Sequence, residues 1–245
     1  MNDLLPRMKG RHETAELEVA ARVVHTRPLI QWRYLIERRA AVLAHTEDLP
    51  EYLLLPEVHA LIAGADKSNH RLLIATLWNT GARISEALAL TRASFTLDAP
   101  NAYVSLRTLK KRGRPKQSAK RVSRVPMRMV PISNAAYLDQ VRRYLADTPL
   151  KSDERIFKFT RQAADQRVRV LMERHNAQAR GRAARISIPV SCHTFRHSFA
   201  VNCILHGTPL PVLQGWLGHA NIQSTVVYTQ VLTAETGHLM AAVEW

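Results

Sequence analysis

Residues 191–197 read Ser-Cys-His-Thr-Phe-Arg-His, residues 217–219 read Leu-Gly-His, and residue 228 is Tyr. Ser191 suits a helix N-cap, and the pattern after it predicts a helix from about His193 to Leu205 that stops at Gly207. His193 and Arg196 are three residues apart, so both leave one face of that helix near its amino-terminal end. Free backbone N–H groups and the helix dipole favour a phosphate there. His197 follows His193 at a spacing that can hold zinc. No Glu completes a His-Glu-x-x-His arrangement and no third ligand is evident, so His197 is read as a buttress hydrogen-bonded to backbone. Pro209 or Pro211 starts the next helix, which carries Leu213 and Trp216 to Gly218. That glycine lets His219 approach a phosphate closely. Tyr228 falls in a helical stretch, 222–231.

The imidazoles of His193 and His219, the guanidinium of Arg196 and the phenol of Tyr228 thus fall in one short region, and Arg83 stands far upstream in Thr-Gly-Ala-Arg-Ile-Ser-Glu-Ala-Leu (80–88). Such a set suits attack on a phosphodiester by a tyrosine hydroxyl. A free tyrosine has a pKa near ~10, so at pH 7 about one in a thousand is phenolate, a handicap of roughly 4 kcal/mol. A base or a cationic field offsets it. Two arginines supply bidentate donors to the non-bridging oxygens.

The segments Thr80–Leu88, His193–Ala200, Leu217–Ala220 and Tyr228 resemble the signature boxes of the tyrosine recombinase (phage integrase) family. Four separated boxes stand in the family's order, and His219 precedes Tyr228 by nine residues, the spacing the family uses. The resemblance runs from about Leu53 to about Val231. It implies a mainly α-helical catalytic domain with a small antiparallel β-sheet or hairpin over 51–245. The family's separate helical core-binding domain needs more chain than residues 1–50 offer, so that segment is expected to be a reduced or absent clamp.

The resemblance also implies the roles. Tyr228 attacks, leaving a 3′-phosphotyrosyl link and a free 5′ hydroxyl. Arg83 and Arg196 clamp the phosphoryl oxygens, His219 donates to a non-bridging oxygen, and His193 helps accept the tyrosine proton. A lysine on a β-hairpin protonates the leaving oxygen; Lys110 is the better match by its distance from the strand, and Lys111 the next. Bond energy stays in the protein–DNA link, so no cofactor and no metal is required. The partners implied are double-stranded DNA and a homo-tetramer on it, with a monomer when free and room for an accessory DNA-binding protein. The short form resembles recombinases that resolve plasmid multimers or invert promoter segments. Type IB topoisomerase-like relaxation and a non-catalytic DNA-binding relative are the alternatives.

The rest of the chain fits this reading. A formal net charge of +15 would repel itself without an acidic partner, and nucleic acid is the commonest. Residues 102–108 and 125–132 have strand character, and 109–124 between them is the densest cationic run. Gly113 and Pro115 mark its tip, and Lys111, Arg112, Arg114 and Lys116 are candidate phosphate contacts. Hydrophobic residues make up 46% of the chain, enough to bury a core. Helical spacing recurs over 14–24, 29–44, 57–63, 134–146 and 161–178. Gly81 suits the stop of a helix capped by Ser68 or Asn69. Glu86 is placed either to orient a cation or to lie on a helix surface. The arginines of 161–178 suit either a DNA-facing or a plain solvated face. Cys192 and Cys203 are read as core thiols in a reducing cytoplasm. No apolar run approaches the ~20 residues of a membrane span. The carboxy-terminal 239–245 could pack on its own subunit or on a neighbour.

Overall fold

The computed structural model describes residues 28–46, 48–98, 101–108, 126–181 and 184–234. The chain divides into two compact units, Met1–Ala41 and Val42–Trp245. Helix α1 (Pro28–His45) starts in the first; the helix expected over 14–24 lies outside the described residues. The second unit is mainly helical. It holds α2 (Leu55–Gly64), α3 (Ser68–Thr80), α4 (Ile84–Ala87), α5 (Ala135–Asp147), α6 (Arg161–Gln178), α7 (Cys192–Leu205), α8 (Leu210–Leu217) and α9 (Gln223–Val226), followed by a 3-10 segment, Val227–Ala234. Strands β1 (Phe95–Thr96), β2 (Tyr103–Arg107) and β3 (Met127–Pro131) form one antiparallel sheet in that order.

Helix α3 is the axis of the unit. Leu72, Leu73, Ile74, Ala75, Thr76, Leu77 and Trp78 are all buried, so it is apolar nearly all round and packs against α2, α5 and α7. Burying each large aliphatic side chain contributes roughly 1.5–3 kcal/mol. A buried hydroxyl pair in this layer is satisfied, Tyr137 Oη donating to Thr76 Oγ1 at 3.0 Å. Burial pushes the Tyr137 phenol well above its ordinary value, so it stays neutral.

The expected caps of α3 need correction. Its N-cap is Lys67, with no side-chain cap, because the helix begins at Ser68 itself. Its entry is fixed instead by Arg71, whose Nη2 donates to Ala65 O at 2.8 Å. The stop at Gly81 is as expected: φ is 58°, and an added Cβ would meet Phe199 Cδ1 at 2.4 Å. Glycine is needed there both for the left-handed turn and for the close approach of α7.

Helix α5 is capped by Asn134, whose side chain accepts from Tyr137 N, and it buries Tyr137, Leu138, Val141 and Leu145. Helix α7 is capped by Ser191, which accepts from His193 N and Thr194 N. Both free cysteines are buried on α7. In the sheet, Val104 pairs with Val130 and Leu106 with Arg128. Val104, Leu106 and Val130 are buried, so alternation turns Arg128 toward the interior as well. Met127 and Met129 face outward, 53% and 62% exposed. Among the described residues, no helix is long and apolar enough to cross a membrane.

Candidate active site

The left-handed stop at Gly81 turns the chain so that Arg83 becomes the N-cap of α4. Glu86, one turn on, accepts from Arg83 N at 2.8 Å and from Arg83 Nη1 at 3.0 Å. Glu86 is buried, which excludes the helix-surface reading. Its other partner is Arg128 of β3, held bidentately: Nη1 to Oε1 at 2.9 Å and Nη2 to Oε2 at 2.5 Å. Burial alone would raise the Glu86 pKa, but the hydrogen bonds and charge of Arg128, with those of Arg83, outweigh it and hold the carboxyl below its usual range. A carboxylate buried between two guanidiniums is the keystone of the site.

The last turn of α8 presents carbonyls that no intrahelical donor reaches, and a helix carboxy terminus carries partial negative charge. Three arginines gather on it. Arg128 Nε donates to Trp216 O at 2.7 Å. Arg196 Nη2 donates to Leu217 O at 2.8 Å, and its Nη1 to Gly81 O at 2.6 Å. Arg83 Nη1 reaches Leu217 O at 3.4 Å and its Nη2 reaches Gly218 O at 3.3 Å. Arg83 and Arg196, 113 positions apart in the numbering (196 − 83), therefore share one acceptor. Arg196 is 2% exposed; burial, then repulsion from Arg83, brings its pKa down to about 10, still fully charged at neutral pH.

Gly218 ends α8 with φ 64°, and a Cβ there would press on the Arg128 side chain at 3.1 Å. The turn delivers His219, whose Nδ1 lies 2.9 Å from the buried Thr225 Oγ1. Burial, then the fields of Arg196, Arg83 and Arg128, lower the His219 pKa to about 4. His193 sits at the exposed start of α7. Packing of its inner edge, then Arg196 and Arg83, lower its pKa too.

His197 departs from expectation. Its Nδ1 lies 2.8 Å from the Tyr228 hydroxyl, a side-chain partner rather than a backbone one. The reason is the helical repeat, which puts residue 197 on the face that α7 turns to the 3-10 segment. Burial, then the charges of His193, Arg196 and His219, lower the His197 pKa to about 4. Tyr228 is 2% exposed. Burial raises its pKa, and Arg196 and Arg83 pull in the opposite direction. The continuous helix expected over 222–231 is instead one α turn, α9, passing into the 3-10 segment.

The structure thus brings Arg83, His193, Arg196, His219 and Tyr228 together. Lys110, Lys111, Arg112, Arg114 and Lys116 lie outside the described residues, as does the segment 235–245. Three participants escaped the sequence reading: Arg128, Thr225 and the hydroxyl-facing His197. Two of the four arginines of α6 have other partners: Arg167 covers the Phe159 ring at 4.2 Å and Arg174 pairs with Asp66. Among the described residues, no group of three or more His, Cys, Asp or Glu side chains is placed to hold a metal ion.

Guanidinium donors and a neutral imidazole around a phenol can bind a phosphoryl group and stabilise charge on its oxygens. With the helical fold and its small sheet, they define the class, a tyrosine site-specific recombinase. In particular, the chain belongs to the phage integrase family, whose model matches residues 51–235. A protein of Escherichia coli named "Resolvase" is 38% identical over 233 residues, covering 88% of either chain. A crystal structure of XerA recombinase has the same fold, with a TM-score of 0.60 at 20% identity over 80% of this chain and 67% of that one. The XerH site-specific recombinase bound to its palindromic difH substrate gives a TM-score of 0.57 at 21% identity, over 79% of this chain and 53% of that one.

Proposed function

We propose that this chain cuts and rejoins double-stranded DNA through a 3′-phosphotyrosyl intermediate on Tyr228, and that its outcome is the resolution of plasmid multimers. The observation that carries the reading is the convergence of Arg83 and Arg196 on the carbonyl of Leu217, beside His219. Phosphoryl oxygens of DNA then replace backbone carbonyls as acceptors for donors already aimed. Arg83, Arg196 and His219 bind the non-bridging oxygens, with His193 at the rim. Lys110, or Lys111 in its place, protonates the leaving 5′ oxygen, and the basic run with Arg112, Arg114 and Lys116 lies on flanking phosphates. Residues 51–245 form the catalytic unit, and 1–50 a short helical segment where the clamp is reduced or absent. Four copies act together on paired sites, with a monomer when free, an accessory DNA-binding protein assisting, and the cytoplasm as the compartment.

Resemblance to a protein named "Resolvase" along most of both chains supports resolution as the outcome. The XerH complex with its difH substrate supports duplex DNA as the partner. The test is a supercoiled plasmid carrying two directly repeated copies of the replicon's own site. Resolution predicts two smaller circles, none of them formed when one site is deleted. Relaxation of any plasmid, without circles, would instead identify a topoisomerase-like activity, and exclusive inversion would replace the resolution reading.

A further inference from the structure

The Tyr228 hydroxyl has a side-chain partner of its own, His197, and it is not His193, the histidine to which the resemblance gives the tyrosine proton. We propose that His197 is a further catalytic residue: its Nδ1 takes the phenolic proton when Tyr228 attacks DNA. The inference rests on the proposed cleavage by Tyr228 and deepens it.

The geometry carries it. His197 Nδ1 and Tyr228 Oη are 2.8 Å apart, within the reach a general base requires. The two rings are tilted by 45° with centroids 5.9 Å apart. His193 meets His197 edge to face, with centroids 4.5 Å apart. His197 thus lies between His193 and the phenol. An unpaired phenol hydroxyl buried in this protein layer would be costly, and the imidazole removes that cost. A neutral ring at working pH has a free lone pair on one nitrogen. The weak basicity of this imidazole is no obstacle, because the phenolic proton becomes strongly acidic as oxygen bonds to phosphorus.

The step balances as follows. The Tyr228 O–H bond breaks and its proton moves to Nδ1. The Oη–P bond forms, the P–O5′ bond breaks, and O5′ takes a proton from a separate donor, Lys110 in the proposed scheme. On rejoining, the 5′ hydroxyl attacks and the imidazolium returns its proton to Tyr228. The role of His193 is then to border the phosphate.

The test uses the full chain and single-turnover cleavage of a nicked suicide duplex. His197→Asn keeps a short acceptor near Nδ1 but cannot take a proton. The expected result is cleavage slowed about a hundredfold or more, with DNA affinity and Tm near those of the parent. A 5′-bridging phosphorothiolate substrate, whose sulfur leaves without protonation, should not restore the rate. His193→Asn should slow cleavage less than His197→Asn does. Parental rates in His197→Asn, or rescue by the sulfur leaving group, would overturn the proposal. Should the variant fold poorly, nitrogen-15 NMR of histidine-labelled parent protein at pH 7 decides: an unprotonated His197 Nδ1 supports the role and a protonated one overturns it. A Tyr228→Phe chain that still forms an adduct would instead overturn the cleavage scheme itself.

Discussion

The arginine cradle and the tyrosine segment are built by opposite means. Around the cradle, Glu86 and the carbonyls of Gly81, Trp216, Leu217 and Gly218 tie Arg83, Arg128 and Arg196 into one network that joins α4, β3, α7 and the end of α8. Each guanidinium has at least two partners, so none can move without breaking several bonds. Tyr228 rides on a single α turn and a 3-10 segment, with hydrogen bonds of poorer geometry, and its hydroxyl has one side-chain partner, His197. A phosphate grip benefits from preorganisation, because donors already aimed need no rearrangement as charge develops. A nucleophile that is 2% exposed must be brought to its phosphate, and a short, loosely tied segment lowers the cost of doing so.

The strongest way to break this contrast is Arg196→Lys. Charge is retained, but the fork that serves Gly81 O and Leu217 O together is lost. Cleavage should fall about 10²–10³-fold in a single-turnover assay. Gly81 O, left without its donor while Leu217 O keeps Arg83, should cost about 1–3 kcal/mol, read by denaturant unfolding. Glu86→Gln comes next. Removing the carboxylate that Arg83 and Arg128 share should lower unfolding stability by about 3–5 kcal/mol, while cleavage by the surviving folded protein falls less than in Arg196→Lys. If Glu86→Gln abolished cleavage without affecting stability, the keystone role would be wrong.

Thr225→Val is a smaller perturbation, confined to the hydrogen bond that orients His219. It should cost about 1 kcal/mol, and up to about tenfold in cleavage. The remaining comparison is of pH dependence. The His197 and His219 pKa values are depressed from 6.5 to about 4. Between those limits the unfolded chain binds protons that the folded chain refuses, so their contribution is complete above pH 6.5 and lost as pH falls toward 4. The Tm should drop over that interval, and the drop should be shallower in His219→Asn.

Much of this architecture was legible in the chain, and the exceptions have physical causes. The Ser191 cap, the Gly81 and Gly218 stops and the inward face of α5 follow from local rules that the structure obeys. Arg128 was hidden because strand alternation and hydropathy disagree: Met127 and Met129 are apolar yet exposed, and the arginine between them is turned inward to Glu86. Only the register with Leu106 reveals it. His197 was assigned to backbone because its spacing from His193 says nothing about the segment opposite, which arrives 31 residues later. Thr225 was overlooked for the same reason, its value depending on where His219 points.

The most direct test is to trap the covalent complex on a nicked duplex carrying the replicon's own site, digest it, and identify the peptide and nucleotide that remain joined. The predicted result is Tyr228 linked to a 3′ phosphate, with no adduct from Tyr228→Phe. Attachment through another residue, a 5′ linkage, or an undiminished adduct from Tyr228→Phe would contradict the account.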